Sequence, residues 1–96
     1  MRYAAVVEVS LDPSANAAHR RSILETFVVP EVKALPGFVR AVWLHDGRVT
    51  GTCVVVCATD EAAQAALDVL TRKGGPPVIR AGVHQVEAEA EAEAGC

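Results

Sequence analysis

The chain has 96 residues and a formal net charge of −3, and 51% of it is hydrophobic, with one Trp, one Tyr and two Phe. That length is one small domain, and twelve acids against nine bases with no basic cluster leave the counterion release behind nucleic-acid binding little to act on. No stretch reaches the ~18 apolar residues of a membrane helix, and no long apolar leader follows Met1, so neither nucleic acid nor membrane is an expected partner and the chain reads as cytoplasmic.

In chain order, Tyr3 to Leu11 is a β-branched run interrupted by Glu8 and predicts a first strand. Asp12-Pro13-Ser14 stops it, with Asp12 or Ser14 available to cap a helix from about Ala15. Ile23, Leu24, Phe27 and Val28 form one apolar stripe on that helix. Pro30 kinks or ends it, because proline lacks the backbone donor. After Pro36-Gly37, Phe38 to His45 is a second strand, Asp46-Gly47 a hairpin signal, and Arg48 to Ala58 a third strand antiparallel to the second.

Thr59-Asp60-Glu61 opens a second helix with a cap and two acids. Ala63, Ala66, Leu67 and Leu70 make its buried stripe, and Arg72-Lys73, Gly74 and Pro76-Pro77 close it. Val78 to about Glu87 is a fourth strand. The order βαββαβ predicts a ferredoxin-like α+β fold over residues 1–88: an antiparallel four-stranded sheet with two helices on one face. Residues 89–96 are an acidic tail, which extends strand four or frays, since as a helix it would set like charges at i and i+4. Four glutamates at 87, 89, 91 and 93 carry the acidity, and without their four negative charges the net charge would be +1.

Two further inferences come from the strands. Ala4 to Val7 and Val54 to Ala58 are apolar at both parities, so both sheet faces are covered. Two helices cover one face, and a second copy of the sheet covers the other, which predicts a homodimer. Cys53 and Cys57 lie roughly 13 Å apart along strand three, beyond the about 7 Å a disulfide spans. With Cys96 the count is odd, as suits a reducing compartment.

Leu35-Pro36-Gly37-Phe38, Trp43, and Gly51-Thr52-Cys53-Val54-Val55-Val56 running into Thr59-Asp60-Glu61-Ala62-Ala63 resemble the dimeric α/β-barrel superfamily, which includes the antibiotic-biosynthesis monooxygenases. The resemblance covers the chain up to its tail. It implies the fold, and it implies either a cofactor-independent monooxygenase-like enzyme acting on a small aromatic or polyketide-like molecule, or a non-catalytic ligand-binding or assembly module. Haem-degrading members use Asn, Trp and His in their pocket. Here the one Asn is Asn16, outside strand one, which departs from that pattern.

The residues themselves offer four candidates. His84 is the candidate catalytic base, since its ordinary pKa lies near neutrality. It shares a strand face with Arg80, and the pair could line an anionic or enolic ligand's pocket or make inter-subunit hydrogen bonds. Glu8, an acid inside a central strand, needs a partner, an arginine salt bridge before a catalytic role. Trp43 is a ligand platform, an interface anchor or core. No spacing of His and Cys matches a metal site, and no cofactor is expected.

Overall fold

The computed structural model describes residues 1–14, 16–72 and 75–92. Its elements are β1 (Tyr3–Ser10), α1 (Ala17–Ile23), a π-helical turn (Leu24–Val28), α2 (Val29–Lys33), β2 (Phe38–His45), β3 (Thr50–Cys57), α3 (Asp60–Leu70) and β4 (Val78–Gln85). The first three helical pieces run on as one segment, so the order is the ferredoxin-like βαββαβ. The strands form one antiparallel sheet ordered β2-β3-β1-β4, with the two most apolar strands at its centre.

Directly paired residues share a face, which makes the register a map of the sheet. One face carries Ala5 opposite Val55 and Val7 opposite Cys53. These side chains, with Cys57 and with Ala62, Ala63 and Ala66 of α3, are the buried core, and Val32 of α2 joins them. The stripe on α3 is made of small residues, so the helix approaches the sheet closely. Thr59 caps α3, its Oγ1 accepting from the Ala62 amide at 3.1 Å.

Several local expectations change. The cap of α1 is Asn16, whose Oδ1 accepts from the amides of Ala18 and His19 at 2.8 and 3.2 Å. Asp12 instead closes a turn on itself, accepting from the Ser14 amide and hydroxyl at 2.9 and 2.7 Å. The stripe of Ile23, Leu24, Phe27 and Val28 is split: Leu24 and Val28 are half-buried, while Ile23 and Phe27 are 42% and 67% exposed. Each pair keeps the i, i+4 spacing of one helix face, and the boundary between sheet side and solvent side runs between them. The π turn at Leu24–Val28 adds a residue to one helical turn. Within it the Val29 amide bonds to the Leu24 carbonyl. Pro30 then stands in the first turn of α2, where its missing donor costs little.

The β2–β3 loop is longer than a two-residue turn, and β3 begins at Thr50 rather than Arg48. Asp46 builds the loop: its Oδ1 accepts from the amides of Arg48 and Thr50 at 2.7 and 3.1 Å, holding its pKa below the usual carboxylate range. That contribution is present above the ordinary carboxylate pKa and fades as the pH falls through the lowered value. Bulges displace Val39 in β2 and the start of β4 near Ile79, so Phe38 pairs with Cys57 and packs on the core. Strand β4 stops at Gln85, short of Glu87, and Glu89 forms an ion pair with Arg2 at 2.6 Å. The expected roles of Lys73 and Gly74 at the helix exit, and residues 93–96 with Cys96, lie outside the described residues.

Candidate functional site

A cleft of about 900 Å³ opens between the sheet and the first helical segment. Its floor is the core face of the sheet, with Val7 and Val9 from β1, Ala41 and Trp43 from β2, and Gly51 and Cys53 from β3. Leu24 and Val28 face it from the helical segment, and Val69 and Leu70 from α3. The opening follows from side-chain size. Two layers packed at the usual spacing need large residues between them. Here the floor is mostly Val, Ala and Gly, and Phe27, the residue large enough to fill the gap, is turned outward.

Trp43 is half-buried, packs against the core and lines the cleft. Cys53, its partner across the β2–β3 pair, has its thiol pushed up to about 12 by burial, so it is a small hydrophobe and not a nucleophile. Burial raises the Cys57 thiol as well, and both cysteines are free. Polar groups stand at the rim: Arg20, Arg21 and Glu25 from the first helical segment, Arg72 after α3, and His45 at the end of β2. The Gly47 amide donates to His45 Nδ1 at 3.0 Å, which leaves the N–H of the neutral ring on Nε2, where it can donate a hydrogen bond to a bound molecule.

Glu8, Arg80 and His84 lie on the other face. Glu8 pairs with Arg80 in the β1–β4 register, and Arg80 Nε is 3.9 Å from Glu8 Oε2, an ion pair without a hydrogen bond. His84 is opposite Ala4 and exposed. Arg80 and His84 share one face of β4, and it is the face turned away from the helices. A shared pocket with Trp43 does not form, because alternate residues of a pleated strand emerge on opposite sides of the sheet. The cleft's own polar residues were missed as a set. His45 had the available signal, since it shares the parity of Trp43 and Ala41. The arginines had none, as nothing local to α1 or α3 says that their ends meet over one opening.

Among the described residues no group of three or more His, Cys, Asp or Glu could hold a metal ion. No helix among them is long and apolar enough to cross a membrane.

The fold and cleft define a ferredoxin-like α+β chain with a recess between its layers and an uncovered sheet face behind. No protein-family model matches it, and no curated protein does. Solved structures do. A protein of unknown function from Nitrosomonas europaea is 21% identical, with 98% of this chain and 96% of that chain covered at a TM-score of 0.66. A monooxygenase from the gene ActVA-Orf6 of Streptomyces coelicolor, solved in complex with nanaomycin D, is 17% identical over 95% and 92% of the two chains at 0.63. A variant of MhuD with two manganese protoporphyrin IX molecules per active site is 17% identical over 93% and 99% at 0.58. Likeness at such identities is likeness of fold: the chain has the ferredoxin-like fold of these structures.

Proposed function

We propose that the cleft binds a small aromatic or polyketide-like molecule and that the protein acts on it as a cofactor-independent monooxygenase-like enzyme. The observation that carries this is the apolar recess of about 900 Å³ floored by the chain's one tryptophan, a volume suited to a compact organic ligand. His45 is the group whose Nε2–H would donate a hydrogen bond to a bound molecule at the rim. A second reading, a binding module without chemistry, is favoured by the floor itself: its one titratable side chain is a thiol locked in its neutral form.

One titration separates these. Nanaomycin D, the ligand of the Streptomyces coelicolor neighbour, is expected to quench Trp43 fluorescence saturably, and Trp43→Ala to weaken its binding, followed by calorimetry, about tenfold or more. Oxygen uptake above the uncatalysed rate with a panel of small phenols and hydroquinones supports the enzyme. Saturable quenching without uptake supports the binding module. With neither, the cleft is not a ligand site.

We also infer that the open sheet face is covered by a second copy of the chain. Val6 and Val54 are half-buried at its centre, and Val42 and Leu44 are 47% and 53% exposed beside them. Patches of this kind on a small domain mark interfaces. Sedimentation at micromolar concentration is expected to give twice the chain mass. The buried, unbridged Cys53 and Cys57 suit a reducing cytoplasmic setting.

A further inference from the structure

We propose that the ligand of the cleft is a small apolar acid whose carboxylate sits at the rim against Arg21 and Arg72; this rests on the reading of the cleft as a binding site. The chain as a whole is anionic, at −3, yet three arginines and one glutamate line this opening. Positive charge is thus gathered at this opening, far from the tail glutamates in sequence.

The arginines come from two sides of the mouth, Arg20 and Arg21 from α1 and Arg72 from the exit of α3. Arg72 is oriented. Its Nε donates to the Val69 carbonyl at 3.2 Å, and one terminal nitrogen is paired with Glu31, which leaves further donors of its fork for a ligand. Arg21 is exposed and makes no ion pair or side-chain hydrogen bond among the described residues.

Below the rim the sheet presents Val7, Val9, Ala41 and Trp43, with no carboxylate and no cation. An uncharged ligand would use that floor and leave the guanidinium donors of Arg21 and Arg72 unused. A cation would be repelled by them. A molecule with a flat apolar body and one carboxylate satisfies both, since guanidinium recognises carboxylate through paired donors.

The test compares naphthalene-2-carboxylate with naphthalene-2-carboxamide, nearly the same shape with and without the charge, titrated into nitrogen-15-labelled protein while the Trp43 indole N–H is followed. Both are expected to shift it, the acid binding about five- to tenfold more tightly at low salt. That advantage should shrink as the salt is raised to about 0.5 M. Arg21→Gln is expected to cut it about threefold, and Arg21→Gln with Arg72→Gln to abolish it, with carboxamide affinity unchanged. Arg40→Gln, on the opposite sheet face, should change neither ligand. Equal binding of acid and carboxamide, or an acid preference that survives both substitutions, overturns the proposal and leaves the cleft standing as a neutral-ligand site. If neither compound moves Trp43, the proposal and the binding reading beneath it fall together.

Discussion

Val55→Asp is expected to yield an unfolded chain, and Val54→Asp, one residue earlier, a folded one that no longer forms the proposed dimer. The two valines are neighbours in β3 and point to opposite faces. Val55 is fully buried against Ala5 and the alanines of α3, with no basic side chain in the core cluster around it. A carboxylate there has neither water nor a partner and must either stay protonated or open the fold, at a cost of about 4 kcal/mol or more. That is a large share of domain stability, which is roughly 5–15 kcal/mol and towards the low end for a domain this small.

Val54 sits on the open face between Val42 and Val6. In a single chain an aspartate there reaches water and costs about 1 kcal/mol or less. Across the two-fold axis of the proposed dimer it would add an aspartate to the same patch of both subunits, where facing like charges cost several kcal/mol. Circular dichroism and sedimentation separate the outcomes. Val54→Asp should keep the spectrum and halve the mass. A Val54→Asp protein that sediments like the parent would mean that the open face is not the interface. A folded Val55→Asp would mean that the core has been assigned to the wrong side of the sheet.

The same alternation explains how much of the fold could be read in advance. Continuous apolar runs in Ala4–Val7 and Val54–Ala58 mark central strands whatever their neighbours are, and β1 and β3 are central. Capping chemistry is local too, so Thr59 could be assigned from its own sequence. Asn16 could have been, and lost to Asp12 and Ser14 only because the proline beside them drew the helix start forward. What sequence could not supply was phase. The π turn Leu24–Val28 interrupts the α pattern with Phe27 on its solvent side, and one bulged residue at Val39 brings Phe38 to the core. Neither irregularity has a residue signature beyond the proline just after the π turn.

The site was harder for the same reason. A cleft is what side chains fail to fill, and the failure here depends on Phe27 facing out. Parity could group Trp43 with His45 and set both apart from Arg80 and His84. It could not say which face holds the opening. Candidates chosen one residue at a time for their chemistry, His84 and Glu8 among them, therefore fell on the open face, where the Glu8–Arg80 pair at 3.9 Å is structural company and not a pocket.

Gly37→Ala is expected to cost about 2–4 kcal/mol, a large loss for one added methyl. Gly37 has φ +82°, a left-handed conformation that costs an L residue about 1 kcal/mol. A Cβ built there would lie 3.0 Å from Ala62 Cβ, and neither atom has a rotamer with which to escape, so the remainder is overpacking. The Gly37 carbonyl also accepts from the Ala58 amide at 2.8 Å, which ties the entry of β2 to the start of α3. Gly47 is the control. Its φ is +81°, but its Cβ would meet nothing within 4 Å, so Gly47→Ala should show only the conformational part, about 1 kcal/mol. Urea denaturation of both variants, read as midpoint shifts at constant slope, measures the difference. Equal losses would mean that Ala62 yields to the new methyl. Helix α3 could then shift on the sheet, and because it carries Val69 and Leu70 to the cleft, the recess over Trp43 would be adjustable rather than set by the core. A loss at Gly37 several times that at Gly47 means that α3 is pinned at its first turn, and that the volume over Trp43 is fixed by packing before any ligand arrives.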